Sequence, residues 1–284
     1  MLTKVAITLL TAVMLCVLNN VTFINQMTYA QLSNNVNPSI TPRGGNQFFL
    51  APVPGGLTNQ WWDWIFSLDI TKLAQQYNLP ADGQSNNPFF DKTGVLCNAG
   101  LQQNGLLFLV GTAGVNLAPG EQLQGDKTYD RNCKTPITRG TLILIPVINS
   151  ECSTIEFGYD APCVQSPTQN PAAQSGQMRS QVNKLIDHAT ELNIAIDGVP
   201  LNPQRVQSPG IGHFMKIVPN NPFAVFGPPL NVDHQITVLS VADGYWVALR
   251  NLSQGTHTVQ FGGAVVFPGG GQFQTEVTYH LTVV

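Results

Sequence analysis

The sequence predicts a mainly β protein: an antiparallel β-sandwich, jelly-roll or immunoglobulin-like, with two α-helices packed on it. Three observations carry this prediction. The last third of the chain consists of short apolar segments at even spacing, broken by turn residues. One of them, FQTEVTYHLTVV from Phe273 to Val284, alternates strictly, with Phe273, Thr275, Val277, Tyr279, Leu281 and Val283 on one face. That is the pattern of a half-buried antiparallel strand. Only two segments, 59–76 and 178–192, carry helical rather than strand periodicity.

Taken in order, residues 1–30 read as a secretory signal. Lys4 supplies the positive start, Val5 to Leu18 the apolar run, and Thr28-Tyr29-Ala30 the small residues at a cleavage site. The run is short for a membrane span, for which about 20 residues are needed. No second long apolar stretch follows, so no span is expected once the signal is removed. Residues 31–50, rich in Asn, Pro and Gly, read as a flexible N-terminal arm. Residues 51–284 read as a single β-sandwich domain with helical insertions.

Within that domain, Thr58 or Asn59 can cap a helix that runs to about Gln76 without Pro or Gly. A loop follows through NLPADGQSNNPFFDKTG. LLFLVGT (106–112) and TLILIPVI (141–148) are unbroken apolar runs of strand length. Pro146 would remove a ladder bond, so it belongs at a strand end or edge. QSPTQNPAAQSGQ (165–177) has linker composition, but the stripe Met178, Val182, Leu185, Ile186, Ala189, Leu192 that follows needs a surface to cover. NIAIDGVPL is a strand ending in an Asp-Gly turn, and ITVLSV and YWVALRNL are two strands separated by Ala242-Asp243-Gly244.

Composition narrows the function. Net charge is −3 and only 10% of residues are charged, against about a quarter in an ordinary domain. The surface is therefore built from amides and hydroxyls, and without a basic patch nucleic acid is not an expected partner. Four cysteines follow the signal, which in an exported chain reads as two disulfides with three possible connectivities. Cys97–Cys133 with Cys152–Cys163 closes the shorter loops. No CxxC, HExxH, P-loop, dinucleotide fingerprint or GxSxG is present. Neither metal nor cofactor is expected, and His188, His213, His234, His257 and His280 show no ligand spacing. DGQSNN lacks the acidic spacing of a calcium loop.

Two candidate sites remain. Asn149 and Glu151 share a face if the strand IPVINSEC continues, and an amide and an acid on a rigid strand end suit a glycosidase-like hydrolase. Spacing does not choose the partner acid among Asp91, Asp160, Asp233 and Asp243. The second candidate is NQWWDWIFSL, which holds three of the four tryptophans. As a helix its apolar arc spans about 200°, against about 100° for an ordinary surface helix. Core packing accounts for Trp61, Trp64, Ile65 and Leu68. Trp62 and Phe66, at the arc's edge, are the pair left for a ligand, with Trp62 expected to be the most exposed tryptophan of the three.

WWDW, NPFFD, NGLLFLVGT, RNC and GTLILIPVINSEC, followed by ADGYWVAL, GTHTVQFGG and VTYHLTVV, appear in that order across most of the mature chain. In this order they resemble a family of secreted bacterial and archaeal proteins without an established activity. The resemblance implies export and assigns no site residue. The family pattern has a Pro-Ala-Gly turn before LILIP, where this chain has the longer Pro136-Ile137-Thr138-Arg139-Gly140. The expected function is a secreted or cell-surface, non-catalytic binding or structural protein. Carbohydrate is the ligand class its amide-rich composition favours. The alternatives are an extracellular hydrolase using Glu151 and an envelope assembly module, partnered by an envelope protein, that uses the 31–50 arm.

Overall fold

The computed structural model describes residues 48–117, 129–156, 163, 169–267 and 271–284. The signal segment, and the arm as far as residue 47, lie outside the described residues. The last arm residues do not behave as an arm. Phe48 is fully buried, and β1 (Phe49–Ala51) pairs with a central strand. The apolar trio Phe48-Phe49-Leu50 has more to gain from the core than from water.

Among the described residues the fold is mainly β, with two sheets and three α-helices. The first sheet has the order β1, β11 (Ile236–Arg250), β6 (Leu142–Ser153), β3 (Leu106–Phe108), β2 (Leu101–Gln102). Two further strands, β9 (Gln204–Gln207) and β10 (His213–Ile217), join β1 end to end along the free side of β11. The second sheet has the order β4 (Val115–Leu117), β13 (Gln272–Val283), β12 (Gly255–Val266), β7 (Ala189–Ile196), β8 (Val199–Pro200), with β5 (Tyr129–Asn132) also on β13. Both sheets are mixed rather than purely antiparallel, because β3 runs parallel to β6 and β5 runs parallel to β13. Ile143, Ile145, Val247 and Leu249 of the first sheet share one apolar cluster with Ile194, Val259, Phe261 and Val277 of the second.

Several sequence expectations are corrected by how the strands pair. Ala242-Asp243-Gly244 is not a turn but the middle of β11, a single 15-residue strand. Asp243, wholly buried, is held there by Arg205 of β9 at 2.6 Å, and Gly244 lies against Asn149 across the ladder. Pro146 stands inside β6 rather than at its end. It is tolerated because β3 stops opposite Leu144 and because the register with β11 slips at Tyr245/Trp246, leaving Val147 as the extra residue of a bulge. Ile137 bridges Val283, and the chain then turns at Gly140, whose φ of +92° favours glycine.

The helices also differ from their expected bounds. The segment expected as one helix is two, α1 (Gly55–Ser67) and α2 (Ile70–Tyr77), because Asp69 accepts from the amides of Thr71 and Lys72 and starts a new cap. α1 begins before the expected caps, so Thr58 and Asn59 lie inside it, and Asn59 accepts a hydrogen bond from Ser208 instead. α3 (Pro171–Ile186) starts at the Asn170 cap and ends before Leu192, which belongs to β7. α1 and α3 cover opposite faces of β11. Trp61 of α1 meets Trp246, whereas Met178 and Val182 of α3 meet Leu239 and Val241, whose parity along the strand is opposite.

Disulfides join Cys97 to Cys133 and Cys152 to Cys163, the connectivity with the shorter loops. Among the described residues no helix is long and apolar enough to cross a membrane.

Candidate functional site

The tryptophan helix is held by its own indoles. Trp61 donates from Nε1 to the Leu109 carbonyl at 2.8 Å, and Trp64 to that of Ala99 at 3.1 Å. Trp61 also meets Trp62, Trp64 and Trp246 edge to face, the arrangement aromatic quadrupoles favour. Trp62 is not the exposed member. It is 4% exposed, Trp61 1% and Trp64 8%. Phe66 is likewise buried. The flank that a helical wheel leaves open is closed by Phe223, which stacks on Phe66 at 4.4 Å and on Trp62 at 6.1 Å. Phe223 stands more than 150 positions along the chain, so no local pattern announces it.

Where β3 stops and β6 bulges, the layers leave a cleft of about 170 Å³. Its aromatic wall is Trp61, Trp62, Phe89, Phe223, Phe226 and Phe273. Phe226 stands at the lip, 57% exposed. Phe66 backs this wall without lining it. The polar groups on the cleft are few. Thr112 and Thr275 lie hydroxyl to hydroxyl at 2.8 Å, and each also accepts from a backbone amide, so both are occupied. Asn149 is different. Its Nδ2 is buried without a partner, and so is the Nε1 of Trp62. Leaving a buried donor unpaired costs about 1–3 kcal/mol. Among the described residues no ionisable side chain lines the cleft.

Asn149 is placed by its neighbour on β11. A Cβ added at Gly244 would come within 2.5 Å of the Asn149 Cβ, so only glycine lets the two strands approach there.

Glu151, two residues further along β6, is half-buried and accepts from Ser240 Oγ at 2.6 Å. Glu156, just past the strand, is an acid whose charge acts on Glu151, and it accepts from the amide of Ser153 at 2.6 Å and from its hydroxyl at 3.1 Å. Burial pushes the Glu151 carboxyl well above the usual glutamate range, the charge of Glu156 adds to the shift, and the Ser240 hydrogen bond opposes it. Burial raises Glu156 too, against its bonds from Ser153.

Glu156 is absent from the acids weighed in the sequence, because nothing in its spacing shows that the chain folds back after Ser153. The weighed acids are otherwise engaged. Asp91 accepts from the amides of Thr93, Gly94 and Leu96, Asp243 pairs with Arg205, and Asp233 is exposed beside His234. Asp160 lies outside the described residues. The sulfurs of Cys152 and Cys163 lie close to Glu156, but they are bonded to each other and offer no thiolate to a metal.

The oxygen side chains of DGQSNN serve the backbone. Asp82 accepts from the amides of Gln84 and Ser85, while Asn86 and Asn87 donate to the carbonyls of Ile70 and Pro222. Comparison with family models, with curated proteins and with solved structures finds no match to this chain.

Proposed function

We propose that this is an exported, non-catalytic binding protein that holds a small ligand in the aromatic cleft between α1, β6 and β13. The observation that carries this reading is the recess itself, walled by Trp61, Trp62, Phe89, Phe223, Phe226 and Phe273 with few polar groups among them. A concave, mostly apolar recess with a few polar groups is the usual form of a small-molecule site. Export rests on the signal-like start, the two disulfides and the resemblance to secreted proteins. The scaffold is read as a β-sandwich from the apolar cluster that the two sheets share.

Glycan, the ligand class composition favours, finds little support in this recess. A sugar's hydroxyls need several acceptors and donors, and the two threonines are already bonded to each other. The test is a plug. Ala113→Phe on the cleft wall should abolish binding of single-ring compounds and leave the melting temperature within a few degrees of the parent. Binding that survives the plug would place the ligand elsewhere.

A second reading, an extracellular hydrolase, is favoured by one observation: Glu151 and Glu156 are neighbouring acids whose carboxyls burial raises above the usual glutamate range, the direction a general acid requires. It requires that Glu151→Gln and Glu156→Gln each abolish turnover on a panel of polysaccharides. Turnover by the parent that either variant retains removes that acid from the mechanism.

A further inference from the structure

We infer that the Cys152–Cys163 disulfide exchanges with thiols, and that the Glu156 carboxyl delivers the proton the departing sulfur takes up. The observation is a cluster away from the cleft. A carboxyl oxygen of Glu156 and the sulfurs of Cys152 and Cys163 all lie within 4.8 Å of one another. The Ser153 amide and hydroxyl hold Oε2 of Glu156 at 2.6 and 3.1 Å, which fixes the carboxyl and leaves its other oxygen to carry the proton. The second disulfide is a built-in comparison. Among the described residues, Cys97–Cys133 has no acid or histidine at that range.

In the exchange, the thiolate of a reagent forms a new bond to one sulfur, and the electron pair of the old S–S bond goes to the other. Unaided, that sulfur would leave as a thiolate in a buried site, where an uncompensated charge is costly. With Glu156 beside it, it takes the carboxyl proton and leaves as a thiol, and the glutamate stays a carboxylate until water restores its proton. Glu156 is near both sulfurs, so it serves whichever departs. Burial raises its carboxyl, so it keeps its proton to higher pH than an exposed glutamate. Around the bond, α3 presents Met178 and Val182 and β11 presents Leu239 and Val241, all apolar, and Glu151 of β6 is the acid coupled to Glu156. Those four apolar side chains pack with both cysteines, so opening the bond loosens α3 where it covers the first sheet.

The experiment treats the native, disulfide-intact protein with dithiothreitol across a pH series, quenches with iodoacetamide and follows each bond by peptide mapping. The thiolate fraction of the reagent acts on both bonds alike and cancels in the ratio of their rates. The rate at Cys152–Cys163 relative to Cys97–Cys133 should fall as pH rises and Glu156 loses its proton. Glu156→Gln should slow Cys152–Cys163 about ten-fold at the acid end of the series and make the ratio independent of pH. That is less than the hundred-fold or more that a positioned acid gives in an enzyme. Glu151→Gln should keep the fall. Should Glu156→Gln fail to fold, the parent series and Glu151→Gln carry the test.

Access and chemistry separate by sign. Cys152 and Cys163 are buried, so the reagent reaches them through a local opening. Ionising a buried carboxyl favours such an opening and would make the ratio rise with pH. A rising ratio, or a flat one, in the parent protein would overturn the inference. So would a Glu156→Gln protein whose ratio still falls with pH. A fall that disappears in Glu151→Gln and survives in Glu156→Gln would place the proton on the wrong acid and overturn it as well.

Discussion

Arg131 shows how this protein uses a charged side chain to hold backbone together. It is 1% exposed, and its guanidinium donates to the carbonyls of Pro88, Asp91, Val110 and Gly111 and to the hydroxyl of Tyr279. A planar fork of five N–H groups matches several fixed acceptors as a lysine cannot. It thereby anchors residues 110 and 111, which lead directly into the cleft wall. Trp61 does similar work by packing. Trp61→Ala should cost about 3–5 kcal/mol in a denaturation curve. Trp62→Ala should cost nearly as much, since Phe223 buries it, and a loss below about 1 kcal/mol would mean that the flank is open in solution. At Glu151 the sign is fixed by the raised carboxyl. Stability from a raised acid is fully present below the ordinary glutamate range, about 4.3, and is lost as pH rises through the folded-state value. The denaturation midpoint of the parent should therefore fall as pH rises above the ordinary glutamate range. Glu151→Gln should flatten that fall, and an unchanged slope would show that Glu151 does not titrate there.

At the scale of elements, the disulfides fasten irregular segments to strands. Cys97, in the short turn Cys97–Gly100, is tied to Cys133 at the end of β5. Cys152, near the end of β6, is tied to Cys163, and both sulfurs pack under Met178 and Val182 of α3. The two bonds close loops with separations of 36 and 11 residues. In the chain-entropy estimate they contribute about 4 and about 3 kcal/mol. Replacing Cys152 and Cys163 together by alanine should lower stability by about 3 kcal/mol or somewhat more, because α3 also loses part of the surface it covers. The Cys97 and Cys133 double variant should cost a comparable amount. If the first pair proves neutral in chemical denaturation, the packing of α3 on β6 does not depend on the bond.

Across the whole molecule, the described residues from Phe48 to Val284 form one compact unit. The linker-like composition of 165–177 is misleading. Pro171 to Gln177 already belong to α3, and Arg179 on that helix donates to the carbonyls of Ser208 and Gly210 in the connection before β10. α3 is bound to the first sheet, and β7 follows it into the second sheet after two residues. Limited proteolysis at the exposed Gln169 and Asn170 should give a nicked protein whose pieces stay together at native pH and part only on unfolding. Two separately folded fragments on size exclusion would contradict a single cooperative unit.

The amino-acid sequence alone determined what depends on near neighbours. Alternation along Phe273 to Val283 marks β13, the apolar arc marks α1, and the even cysteine count marks two cross-links. Each of these follows from a period or a count that survives without knowledge of the rest of the chain. The tertiary structure decided what depends on distant partners. The residues Ala242 to Gly244 look like a turn until Arg205 and Asn149 are placed beside them. Trp62 looks exposed until Phe223 covers it. Glu151 lacks a partner until the chain bends after Ser153 to bring Glu156 near. Asn149 is visible in the sequence as a polar residue on a strand, but the burial of its amide nitrogen without a partner depends on residues brought beside it by folding. Burial, satisfaction and pairing are sums over neighbours that are remote along the chain, and folding alone brings those neighbours together.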